Sequence, residues 1–183
     1  LAKNAAKEGM VLLKNNKGIL PFTKGTKLAL FGKGTFDYVK GGGGSGDVTV
    51  EYTINIYEGF KKLHDHVEIC ESVLDFYRDY NQKNSDTFYY PGQSPEPSVP
   101  DELCAQARAY TDTAVISISR FSGEAWDRNL KGHPMYEEGD FYLSHAERAM
   151  VEQVKKYFTK IVVACNGSGK LYNNVFADVE CVF

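Results

Sequence analysis

Three short apolar runs, Lys27 to Phe31 (KLALF), Ala114 to Ser119 (AVISIS) and Ile161 to Ala164 (IVVA), are separated by stretches whose apolar residues recur at helical spacing. A run this apolar carries no solvent face. It must be covered on both sides, which helices crossing between parallel strands can do. The predicted fold is therefore α/β, a mainly parallel sheet flanked by helices on both faces in a flavodoxin-like layout. Loops leaving the strand C-termini should gather along one edge. Predicted helices run from Leu1 to Asn15, Thr53 to Leu63, Ser72 to Gln82 and Asp101 to Tyr110, the last capped by Asp101. Ser144 caps another that ends at Phe158, and Val67 to Cys70 is a further strand. Ser85 to Pro100, with four of the six prolines, reads as a surface excursion.

At 183 residues, 43% apolar and 25% charged, the whole chain is expected to form one domain. A net charge of -3 from 21 basic and 24 acidic side chains leaves no field to attract phosphate backbones, which argues against nucleic acid. No run reaches the roughly 18 apolar residues of a membrane helix, and the residues from Leu1 onward show no apolar core of a secretion signal. The expectation is a cytoplasmic protein with no membrane partner, for a chain that begins at Leu1 and not Met. Cys70, Cys104, Cys165 and Cys181 form no C-x-x-C pair and read as buried free thiols. His64, His66, His133 and His145 lack zinc-ligand spacing, so neither metal nor cofactor is expected.

Two loops carry the chemistry. The first, Gly41 to Asp47 (GGGGSGD), lets the backbone approach something closely. It lacks the Lys and Ser/Thr of a phosphate loop, and Asp47 would repel phosphate. Asp47 also stands where a G-x-S-x-G serine elbow needs its final glycine. A flexible glycine hairpin is the plain alternative. The second, Arg120 to Arg128 (RFSGEAWDR), offers arginines to orient hydroxyls, Trp126 as an apolar face for a sugar ring, and Glu124 as a carboxylic acid able to protonate a glycosidic oxygen. Its plain alternative is a surface loop in which Asp127 and Arg128 pair with neighbours and Trp126 plugs the core. Both loops follow predicted strands and should meet at one edge.

Taken in order, AAKEGMVLLKN (Ala5 to Asn15), LPF (Leu20 to Phe22), GGGGSGDV (Gly41 to Val48), ISRFSGEAWDR (Ile118 to Arg128) and GDFYLS (Gly139 to Ser144) resemble the α/β sandwich domain of glycoside hydrolase family three. The likeness is to β-glucosidase members of permuted domain order. It implies retaining hydrolysis of terminal β-linked sugars, in which a carboxylate from a (β/α)8 barrel attacks and Glu124 is the acid/base. Arg120, Trp126, Gly43, Gly44 and Ser45 would then contact a β-glucoside, with Asp127 and Arg128 in support. Asp127 is expected to occupy Arg128, leaving Glu124 free to be protonated. Ala125 stands where the family usually has Gly. These residues hold no barrel and no Ser-Asp-Trp nucleophile motif, so the chain alone should not turn over substrate. Gly167 to Leu171 (GSGKL) resembles a motif found further along, so an intervening segment is either deleted, which would remove a strand and helix of the sheet, or present in the protein but not in these residues. The alternatives are a non-catalytic carbohydrate-binding or degenerate scaffold domain, and a nucleotide binder at Gly41 to Gly46.

Overall fold

A computed structural model describes residues 1–84, 94–124, 126–129, 131, 137–167, 169, 171 and 176–183. Six strands form one sheet: β1 (Lys14–Asn15), β2 (Thr26–Phe31), β3 (Val67–Ile69), β4 (Thr113–Arg120), β5 (Lys160–Gly167) and β6 (Cys181–Val182), in the order β1-β6-β5-β4-β2-β3. All pairings are parallel except β1 with β6. The helices are α1 (Ala2–Gly9), α2 (Ile56–Lys61), α3 (Glu71–Asn84), α4 (Asp101–Tyr110) and α5 (His145–Tyr157).

The apolar runs are strands because a two-residue period serves both faces at once. Along β4, Ile116 and Ile118 enter the core beneath α3, α4 and α5, while Val115 enters a second core with Leu28, Leu30 and Val162. That second face is covered more thinly, by α2 through Tyr57 and Phe60 and by Ile19, Leu20 and Phe22. All eight β4 residues are buried. At about 1.5–3 kcal/mol for each fully buried aliphatic side chain, this central strand dominates the cohesion of the sheet. α5 starts with a capping box: the Ser144 hydroxyl accepts from the Glu147 N–H, and the Glu147 carboxylate accepts from the Ser144 N–H.

Several expectations are corrected. The first helix stops at Gly9, and Met10 to Leu13 leave it exposed because the chain turns to pair β1 with β6. Asp101 is the first helical residue of α4 and not its cap, the cap position falling on Pro100. The excursion expected from Ser85 to Pro100 lies partly outside the described residues (85–93), and beyond them Ser94, Glu96 and Val99 are buried. All four cysteines are free, and burial pushes the thiols of Cys104 and Cys165 up to about 11.

Glu96 makes a buried polar anchor. Its carboxyl accepts from the Lys33 N–H (3.1 Å) and the Tyr77 hydroxyl (3.0 Å), just past the end of β2. Beside it, burial pushes the Lys33 ammonium down while Asp37, 3.7 Å away, partly offsets this. Burial pushes the Glu96 carboxyl from 4.5 up to about 8, against the pull of the Lys33 N–H. The folded state then holds this proton more tightly than the unfolded chain. The resulting stabilisation is full below pH 4.5 and is lost as pH rises through about 8. Urea unfolding should show the wild-type chain losing stability relative to Glu96→Gln, which cannot titrate, as pH rises from about 5 to about 8.5.

Candidate active site

The strand order turns at β2: the chain passes from β2 outward to β3, then back across to β4 on the other side. In open α/β sheets the crevice outside the C-terminal ends of such diverging strands is where ligands bind. The loops leaving β2 and β4 both rise there. Close packing fixes the first at its base. Gly32 has φ +93°, and a Cβ on it would lie 2.3 Å from the Ser117 carbonyl oxygen of β4. The Ser117 hydroxyl donates to the Gly32 carbonyl at 3.2 Å, and the Asn166 amide, at the end of β5, both accepts from the Val39 N–H (3.0 Å) and donates to the Val39 carbonyl (3.2 Å).

What the glycine run approaches is the second loop. A Cβ on Gly123 would sit 2.1 Å from the Gly43 nitrogen, and one on Gly42 would sit 2.8 Å from the Ser122 carbonyl oxygen. Backbone lies on backbone. Gly44, at φ +68°, leaves room for Glu124, whose Oε2 would be 2.3 Å from a Cβ there. Next along the chain, Ser45 holds that carboxylate at both oxygens: its N–H donates to Oε2 (3.1 Å) and its hydroxyl to Oε1 (2.5 Å). Glu124 is exposed to solvent. Hydrogen bonds from the Ser45 hydroxyl and then its N–H hold the carboxyl below its ordinary range.

Arg120 turns inward. Its side chain is 3% exposed and all five N–H donors are spent. They serve the carbonyls of Asp140, Ser119 and Tyr142 and both oxygens of Glu147, at 2.6 and 2.7 Å. Arg128 pairs with Asp140 and not with Asp127, which corrects the expected pairing. Its Nε lies 2.7 Å from Asp140 Oδ2 in an ion pair outside hydrogen-bond geometry, and its Nη2 donates to the Asp140 carbonyl. Asp127 is exposed. Trp126, 43% exposed and edge-on to Phe121 at 6.2 Å, is no core plug. Ala125 lies outside the described residues. The geometry is thus a solvent-facing carboxylate and an indole on a loop whose base is bolted down by two arginines.

The glycosyl hydrolase family 3 C-terminal domain model matches residues 10–182. The chain belongs to this family. The family 3 domain described here is 46% identical over 185 residues to β-glucosidase A of Butyrivibrio fibrisolvens, covering 92% of this chain and 22% of that protein. It superposes on β-glucosidase 3B of Thermotoga neapolitana, solved in complex with glucose, with a TM-score of 0.85 at 33% identity over 99% of this chain and 26% of that one. A β-glucosidase from Paenibacillus barengoltzii gives a TM-score of 0.85 at 27% identity over 99% of this chain and 20% of that one. The family 3 domain thus spans about a fifth to a quarter of these relatives.

Sequence reasoning missed three supports of the family 3 site: Asp140, Glu147 and Asn166. Glu147 was visible as the fourth position of S-x-x-E, yet nothing local tied it to Arg120, 27 residues away. Among the described residues no His/Cys/Asp/Glu cluster could hold a metal ion, and no helix is long and apolar enough to cross a membrane.

Proposed function

We propose that this chain is the acid/base-supplying domain of a retaining β-glycosidase that hydrolyses terminal β-linked glucose-like sugars, with Glu124 as the acid/base. The observation that carries this reading is the Glu124 carboxylate, presented to solvent at the sheet's switch-point crevice by a loop that Arg120 and Arg128 brace from below. The family relationship and the β-glucosidase names of its relatives support the substrate class. The attacking carboxylate comes from a (β/α)8 barrel of the same protein, placed about 5–5.5 Å from Glu124. Val48, Val50, Tyr52 and Ile54, apolar residues that stand exposed in the wholly exposed stretch beyond the glycine run, support a docking face beside the site.

In the first half-reaction the barrel carboxylate bonds to the anomeric carbon while protonated Glu124 gives its proton to the departing oxygen. In the second, ionised Glu124 takes a proton from water, whose oxygen displaces the enzyme carboxylate. The Ser45 hydrogen bonds favour the second state. Covering the site with a docked domain would remove water and favour the first. Trp126 offers a face to the sugar, the exposed backbone of Gly44 lines its approach, Gly43 lies buried beneath against Gly123, and Arg120 holds the loop's aim.

The test is Glu124→Gln in the protein that contains this domain. Turnover of alkyl or sugar β-glucosides, whose leaving groups need the proton, should fall about 10²- to 10⁴-fold. Aryl glucosides with acidic leaving groups should form the glycosyl-enzyme far less impaired. Undiminished turnover of both would remove Glu124 from the chemistry and favour the carbohydrate-binding scaffold.

A further inference from the structure

Among the described residues, Ser45 alone donates to both oxygens of the Glu124 carboxylate, and it does so with two donors of different character. The N–H can only donate, and it binds the charged carboxylate more strongly than the carbonyl oxygen of the neutral acid. The hydroxyl can donate to a carboxylate or accept from a carboxylic acid, so it serves either state. The arrangement is built and not incidental. Gly44 at φ +68° brings the Ser45 N–H under Oε2 while keeping a side chain out of the carboxyl's place, and the Gly123–Gly43 backbone contact fixes the spacing of the loops. The other charges on the two loops are engaged elsewhere or stand apart: Lys40 with Asp47 at 3.3 Å, Arg128 with Asp140, and Asp127 exposed.

We infer that Ser45 is a positioning residue that clamps the Glu124 carboxyl through its hydroxyl and N–H, fixing its aim and holding it in the ionised form. The sequence expectation placed Ser45 against the sugar; the clamp gives it a second partner in Glu124. The catalytic meaning of the clamp rests on Glu124 being the acid/base, whereas the clamp itself does not.

The deciding experiment titrates the Glu124 side-chain carboxyl by carbon NMR in this chain, using ¹³C-labelled glutamate assigned with Glu124→Gln. Ser45→Ala should move the titration to higher pH, and Ser45→Thr, which keeps both donors, should restore it. In the larger protein, Ser45→Ala should move the alkaline limb of the kcat/KM profile upward and lower kcat by about tenfold to a hundredfold as the carboxyl loses its aim. A titration unchanged by Ser45→Ala in a folded chain overturns the clamp whatever Glu124→Gln does to turnover. A shifted titration beside a fully active Glu124→Gln protein upholds the clamp and removes only the acid/base reading.

Discussion

Glu147→Ala is expected to cost about 3–5 kcal/mol of folding free energy, the range for breaking a buried ion pair on one side. Arg120 and Glu147 have side chains only 3% and 2% exposed, so the guanidinium left behind would keep its charge without a counter-ion and without access to water. The same substitution removes half of the α5 capping box, since the Ser144 N–H loses its acceptor. Against a total of about 5–15 kcal/mol for a domain, this would leave the chain marginal at 37 °C. Urea unfolding followed by circular dichroism measures it. Replacing both partners, Arg120→Met with Glu147→Leu, should recover much of the loss because no charge is stranded, with the capping contribution still missing. If the single variant costs under about 1 kcal/mol, the pair is solvated and its bracing role falls.

Gly123→Ala should damage the site far more than the fold. The added Cβ would meet the Gly43 nitrogen at 2.1 Å and its Cα at 2.7 Å, both backbone atoms that no rotamer change can move. The loops must part by more than an ångström to restore ordinary contact, which carries Glu124 away from Ser45. Misplacement on that scale corresponds to about a 10²-fold loss of turnover in the protein containing this domain, while stability should fall by only about 1–3 kcal/mol, as for overpacking. Gly46→Ala is the control: its Cβ would meet nothing within 4 Å, so activity should persist. Steady-state kinetics beside a melting curve separates the two effects. Equal losses in both variants would mean that the glycines serve loop flexibility and not close approach.

The sheet was legible because β2, β4 and β5 are apolar on both faces, a pattern that few other environments accept. β1 and β6, two residues each, carry no periodicity to read, and their pairing overrides the helical spacing that Met10 to Leu13 share with α1. The glycines announced a close approach without naming its partner, since Ser122 and Gly123 lie some eighty residues downstream. Glu124 was legible from its motif. Its Ser45 contact was not, because only the register of β2 against β4 brings the two loops level. Prolines around Glu96 read as surface because Pro reports backbone shape, not depth, and one buried carboxylate with two donors left no mark in composition.

The separation of 79 residues between Ser45 and Glu124 also bears on when the site comes into being during folding. Closing so long a loop is entropically costly and must await the parallel zipping of β2 onto β4, a non-local step of the kind that slows folding. The helices and the β4–β5 ladder can form while the carboxylate is still untethered. Conversely, a transient local opening of either loop would unhook Glu124 while the sheet stays intact. The Ser45–Glu124 contact is therefore gained late in folding and lost early in unfolding, and on the proposed function so is competence for chemistry.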